Sequence, residues 1–273
     1  MGGTYLWGKY SLQYIPPLTL GLIRFVAAAL ILHLGTKSFL PNMKIEKADR
    51  GRFIILSILV IPINQLLFLL GLRLTTPAHS ALMYSTLPIF IYLISLSYKE
   101  ESFAWLKSIG IAAAFMGVVL ILDERGIDFG SDYVVGDLII LIAVMAWAFY
   151  TVVGLPLVRK YGAIFVTARA LGLGTLMFIP LGLYYSLDFD FTKPPLMAYM
   201  GVLYMATMTS IVAYTIWYWA LKYMDASKVG VINNFQPVIT AIMSFALFGE
   251  QFTLVFIIGG AIIFAGVSLT LKG

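Results

Sequence analysis

Ten long apolar runs follow one another through 273 residues, and they leave the chain few ways to fold. They cover residues 1–14, 17–36, 53–72, 77–97, 103–122, 136–155, 163–186, 195–219, 227–248 and 252–271. The runs are continuous rather than alternating at every second residue, which argues against the strands of a membrane barrel. A transmembrane helix takes about 20 apolar residues, so ten would use about 200 and leave only short linkers. There is no room for a soluble domain. Hydrophobic types make up 61% and charged types 11% of the chain, against roughly 45–50% and 25% in soluble domains. So few charges and so many aromatics exclude disorder. The net charge is +5, but Lys and Arg are scattered over short linkers, with no basic stripe for nucleic acid. Cysteine is absent, so there is neither a disulfide nor a thiolate metal site. No cleavable signal peptide is apparent. The expected fold is an all-α integral membrane protein of ten helices.

Turn chemistry separates several runs, at Pro16-Pro17, Pro41-Asn42, Gly126 to Gly130 and Pro194-Pro195. With a cytoplasmic N-terminus, cytoplasmic segments carry twelve basic residues: Lys37, Lys44, Lys47, Arg50, Arg52, Lys99, Lys107, Arg159, Lys160, Lys222, Lys228 and Lys272. The outer side carries four, Lys9, Arg73, Arg125 and Lys193, and two more, Arg24 and Arg169, lie inside runs. By the positive-inside bias, both termini are expected in the cytoplasm of a multi-pass protein of the cell (inner) membrane.

An internal repeat carries more information. Sliding the sequence by 149 residues aligns Leu72–Leu122 with Leu221–Leu271 without a gap, and 13 of the 51 positions are identical. The matches include Pro88/Pro237, Ser95/Ser244, Glu101/Glu250, Gly110/Gly259 and Gly117/Gly266. Apolar composition alone would not readily align Pro with Pro, Glu with Glu and two Gly pairs in one frame. The predicted organisation is a first repeat at 1–122, an outer linker at 123–135 and a second repeat at 136–273. Five helices in each half is an odd number, so the halves are inverted with respect to each other. Inverted repeats mark secondary transporters, whose substrate site lies near the midplane between the halves.

The motifs carrying a family likeness are "PPLTLGLIRFVAAAL" around Arg24, "LRLTTPAHSALMYSTLPIF", "GDLIILIAVMAWAFYTVVG", "ALKYMDASKVGVINNFQPVITAIMSFALFGEQFT" and the Gly-rich last helix of each half. Their order and spacing resemble the EamA type of the drug/metabolite transporter superfamily over the whole chain. The resemblance implies ten helices, a central cavity formed mainly by helices 1, 3, 4, 6, 8 and 9, and export or exchange of small metabolites. It also exposes a departure. The family's first helix usually carries a Trp-Gly matching Trp147-Ala148, and Met1 stands where that Trp would be. Helix 1 is therefore expected to be truncated by about ten residues, about 15 Å.

Candidate site residues follow from polar groups in apolar runs. Asn64 and Gln65 lie mid-run beside Pro62 and need partners, either as cavity lining or as interhelical glue. Tyr84 and Ser85 align with Asn233 and Asn234, Gln236 follows, and Pro88 and Pro237 come one turn later. A proline frees a carbonyl one turn back, so a kink bearing polar groups is expected in both halves. Trp147, Tyr150 and Tyr214 are the deeper aromatics of helices 6 and 8 and the candidates for an aromatic cavity wall. Arg24 and Arg169 either contact a substrate carboxylate or phosphate, or reach the interface near their helix ends, or order the neighbouring helix. His79, near the outer start of helix 4, has a proton role or is simply interfacial. Small-residue faces at Gly110/Ala114, Ala113/Gly117 and Ala261/Ala265 read as close packing within a half, with a dimer contact as the alternative.

No Asp or Glu falls mid-helix, so direct carboxylate coupling is unsupported. No Walker loop is present, so ATP does not drive transport, and no cofactor or metal is implied. The expected function is a secondary carrier of a small organic metabolite, an amino acid or drug-like compound. It would act by export, facilitated or exchange, with alternating access. The expected partners are that substrate and the lipid bilayer, not nucleic acid, and the protein would be a monomer or homodimer. A nucleotide-sugar or phosphate-ester antiporter is the alternative and would need more cavity cations than Arg24 and Arg169. A lipid-acting membrane enzyme fits less well, because Asp123, Glu124, Arg125 and Asp128 sit in a soft linker without a His or Ser partner.

Overall fold

A computed structural model of the chain describes residues 2–39, 43–98, 102–122, 131–223, 226, 229, 235–249 and 251–272. The regular elements among the described residues are all helical. In order they are α1 (Gly3–Ser11), α2 (Pro17–Phe39), α3 (Arg50–Ile58), α4 (Leu66–Leu74), α5 (Pro77–Tyr84), α6 (Leu87–Ser97) and α7 (Trp105–Leu122). The second half holds α8 (Asp132–Tyr161), α9 (Ala163–Tyr184), α10 (Leu196–Tyr204), α11 (Tyr214–Ala220), α12 (Phe235–Phe248) and α13 (Leu254–Lys272). A π-helical stretch, Leu59–Gln65, joins α3 to α4, and a second, Met205–Ala213, joins α10 to α11.

Among the described residues, six helical segments are long and apolar enough to cross a membrane: Pro17–Gly35, Lys47–Leu74, Pro77–Ser97, Asp132–Tyr161, Ala163–Tyr184 and Leu196–Ala220. Trp105–Ile121, Ile239–Phe248 and Leu254–Thr270 are shorter apolar helices, and α1 has nine residues. Local chemistry sets several boundaries. Pro77 opens α5 behind Thr76, whose side chain accepts from the His79 amide, and Ser131 caps α8 by accepting from the Val134 amide. Gly162, at φ 81°, turns the chain between α8 and α9. The side chains are distributed as lipid requires. Leu34, Phe115, Met116, Leu176 and Phe245 face outward, whereas Arg24, Asn64, His79 and Asp137 are buried.

The halves pack on each other by a swap rule. α2 packs on α9, α5 on α12 and α7 on α13, so the second, fourth and fifth runs each meet their own counterparts. α1 packs on α10 and α4 on α8, two contacts that exchange with each other when the halves are exchanged. The α7–α13 seam shows the rule at atomic scale. A Cβ on Gly110 would lie 2.5 Å from both the Gly266 carbonyl and Thr270 Oγ1. Its counterpart 149 residues on, Gly259, would meet Gly117 O at 3.1 Å and Ile121 Cγ1 at 2.5 Å, and these two are the counterparts of Gly266 and Thr270. This corrects the expectation of packing within a half: Gly110, Ala114 and Gly117 close the seam between the halves. Ala261 and Ala265 are instead exposed.

Candidate functional site

Six runs contribute to one cavity, about 400 Å³ in volume. Its wall is Thr4 and Tyr5 of α1, Asn64, Gln65 and Phe68 of the third run, Tyr84 of α5, Trp147 of α8, Thr209 and Tyr214 of the eighth run, and Gln236 of α12. These are runs 1, 3, 4, 6, 8 and 9. Both π-helical stretches reach it, one through Asn64 and Gln65 and the other through Thr209. In the first, Pro62 lacks an amide donor, which loosens the helical ladder. In the second, the Ser210 hydroxyl donates to the Met205 carbonyl, 3.2 Å away. Such stretches widen a helix locally and recur at functional sites.

The polar wall is a network across the halves. Asn64 Nδ2 donates to Tyr84 Oη at 2.9 Å and to the Ala143 carbonyl of α8 at 2.7 Å. Gln65 Nε2 donates to Asn64 Oδ1, while Gln65 Oε1 has no partner. The Thr4 and Thr209 hydroxyls meet at 2.7 Å. Aromatics form the rest. Tyr5, Phe68 and Tyr84 meet edge-on with centroids 5.6–6.0 Å apart, and Trp147 lies against Tyr214 at 4.5 Å. The amides thus both line the cavity and tie helices together, the two roles considered for them.

Other candidates fall elsewhere. Tyr150 is buried behind Trp147, stacked between it and Tyr218, and is not on the cavity wall. Ser85 donates to the Leu82 carbonyl at 2.6 Å and also stays off the wall. At Pro88 the helix breaks rather than kinks. α5 ends at Tyr84, α6 begins at Leu87, and Ser85 and Thr86 satisfy the carbonyls of Leu82 and Met83. Pro237 falls in the first turn of α12. Asn233 and Asn234 lie outside the described residues.

The two arginines part company. Arg169 is exposed, with its guanidinium 5.2 Å from the Phe165 ring centroid. Arg24 is fully buried, its Nε donating to Ser210 Oγ at 3.1 Å. It therefore does not reach the interface.

His79 is not interfacial either. It is 4% exposed, and its Nδ1 lies 2.9 Å from Asp137 Oδ2 of α8. The other Asp137 oxygen accepts from the Thr75 hydroxyl, and the His79 ring packs between Tyr133 and Phe256. At the far end of the same helix pair, Asp49 Oδ2 accepts from Lys160 Nζ and from Tyr161 Oη, each at 2.7 Å. The third run and α8 are thus clamped at both ends.

Thr4, Tyr5, Phe68 and Thr209 were not singled out from the sequence, nor was Asp137. The first four look like ordinary membrane-helix residues. Asp137 did carry a signal, as a lone carboxylate at the mouth of an apolar run. Among the described residues no group of three His, Cys, Asp or Glu side chains gathers to hold a metal.

Relatives and solved structures agree with this architecture. A solved crystal structure matches with a TM-score of 0.69 at 17% identity, covering 99% of this chain and 94% of its own. An uncharacterized transporter of Archaeoglobus fulgidus is 30% identical over 98% of this chain and 92% of its own length. The uncharacterized transporter YyaM of Bacillus subtilis is 28% identical over 100% of this chain and 90% of its own. A probable terminal-alkyne amino-acid exporter of Streptantibioticus cattleyicolor is 24% identical over 71% of this chain and 64% of its own. Residues 1–123 and 134–272 match the EamA-like transporter family. An inside-out helical body, a swap-related pair of halves and a cavity between them are what such a carrier needs, and the chain belongs to the EamA-like transporter family.

Proposed function

We propose that the chain is a ten-helix carrier of two inverted five-helix repeats, 1–122 and 136–273. It moves a small organic metabolite, an amino acid or drug-like compound, by alternating access, and it acts in export by facilitated movement or exchange. The observation that carries this reading is the cavity itself, whose wall draws on both halves and has an aromatic face beside a few polar groups. Residues from two packed halves can be exposed to either side in turn only if the halves move against each other. The probable amino-acid exporter among the relatives supports the choice of cargo and direction. The excess of basic residues on the linkers assigned to the cytoplasm supports an inner membrane location with both termini inside.

The test is flux from liposomes holding the purified chain and loaded with labelled amino acids and small amphipathic metabolites. At least one should leave faster than from empty liposomes. Tyr84→Ala and Trp147→Ala should each change its rate severalfold or more. Unchanged flux in both variants would remove the cavity from the transport path.

A further inference from the structure

Arg24 is the anomaly of the interior. A guanidinium in a hydrocarbon-embedded bundle is expensive unless a counter-charge or a full set of acceptors surrounds it. Arg24 has neither. It is 0% exposed, its Nε donates to Ser210, its guanidinium carbon lies 5.1 Å from the Phe25 ring centroid, and both terminal nitrogens lack a hydrogen-bond partner. The two buried carboxylates among the described residues are committed elsewhere, Asp137 to His79 and Thr75, and Asp49 to Lys160 and Tyr161. The ionisable side chains that its charge feels are Tyr214 and Tyr84, and both line the cavity. Tyr214 follows immediately on the π-helical stretch whose Ser210 accepts from Arg24 Nε, and Thr209 of that stretch is also on the wall. The counterpart of Arg24 in the other half shows what a merely tolerated arginine does: Arg169 is exposed.

We propose that Arg24 is the anion subsite of the cavity, and that the substrate is a small organic monocarboxylate with an apolar or aromatic body. The carboxylate takes both terminal nitrogens of the guanidinium, a planar two-point match. One carboxylate cancels one buried cation. A phosphate ester brings more charge than a single arginine neutralises, and no second buried cation stands beside Arg24 among the described residues. The aromatic wall of Tyr5, Phe68 and Trp147 takes the body of the ligand. Gln65 Oε1, also without a partner, accepts a donor from it. This assignment rests on the carrier reading in that it names the cargo of the same cavity.

The experiment pairs acids with their neutral isosteres: 3-phenylpropionate with 3-phenylpropanamide, and 4-methylpentanoate with 4-methylpentanamide. Binding to the full chain in detergent is titrated by thermal shift, and flux of the labelled compounds is followed in liposomes. At least one acid should bind about tenfold or more tighter than its amide, the scale of a charged hydrogen-bonded contact. In Arg24→Met that preference should vanish while amide binding persists, and in Arg24→Lys part of it should remain. No preference for either acid in the wild type overturns the proposal, as does a preference that survives in Arg24→Met. If Arg24→Met does not fold, the wild-type ratio and Arg24→Lys decide, and a full preference retained in Arg24→Lys overturns the two-point match. Flux of the amides without preference for the acids leaves the carrier reading standing and removes this one. Arg24-dependent acid binding with no flux does the reverse.

Discussion

At the scale of single residues, burial separates side chains that the sequence presents as equivalents. Arg24 and Arg169 occupy corresponding runs, and each lies over a buried phenylalanine ring, yet one is sealed inside and the other is exposed. Asp137 and His79 are a buried pair, and Asp137 holds the Thr75 hydroxyl with its other oxygen, so that removing Asp137 breaks both bonds. Breaking such a pair costs about 3–5 kcal/mol, whereas an exposed substitution stays within about 0.5 kcal/mol. Asp137→Asn should therefore lower the unfolding temperature in detergent by several degrees, and Arg169→Gln should leave it unchanged. Equal temperatures for the two would mean that the pair stabilises nothing. Asn64→Ala should also destabilise, by about 1–3 kcal/mol, because it takes the acceptor from the Gln65 amide and removes the bonds to Tyr84 and Ala143. Polar outliers such as Asn64, Gln65 and Tyr84 were legible because an apolar run makes each one conspicuous. Tyr150 and Ser85 misled for a physical reason. A run shows that a residue is inside, but not whether a larger ring stands between it and the open space.

At the scale of elements, the apolar runs predicted an all-helical body, because lipid forces the backbone to satisfy itself within each run, and six of the described segments are long and apolar enough to span. The departures are where a helix changes its winding. Neither π-helical stretch is visible in the composition of Leu59–Gln65 or Met205–Ala213, since an extra residue per turn needs no special side chain. The break at Pro88 was read as a kink, because the hydroxyls of Ser85 and Thr86 turn back on their own carbonyls only once the chain is folded. Gly110, Ala114 and Gly117 of α7 were legible as a close-packing surface with the partner misassigned, whereas in α13 the glycines Gly259 and Gly266, not Ala261 and Ala265, close the seam. Their spacing leaves no room for a side chain, so Gly110→Val and Gly266→Val should each abolish folded protein in detergent extracts, read as loss of a monodisperse chromatographic peak. The same change at Gly35, where a Cβ meets nothing within 4 Å, should be tolerated.

At the scale of the whole molecule, the 149-residue repeat was the strongest guide, because two copies of one half are forced into reciprocal contacts. What the repeat did not supply was the pair of clamps, which join residues lacking counterparts: Thr75 and His79 to Asp137, and Asp49 to Lys160 and Tyr161. The chain has no native cysteine, so paired cysteines can pin either end without interference. Asp49→Cys with Lys160→Cys, and separately Thr75→Cys with Asp137→Cys, should each stop liposome flux on oxidation and restore it on reduction. Flux that persists through a verified cross-link would mean that transport needs no parting at that end. The clamps also have a mechanical consequence. Asp137 and Lys160 lie on one continuous helix, α8, about 35 Å apart at 1.5 Å per residue. A stiff rod held near both tips against a single neighbour behaves as a seesaw. Under the proposed alternating access, a tilt that draws one tip inward would prise the other away, so that closing one mouth and opening the other would be a single rigid-body movement.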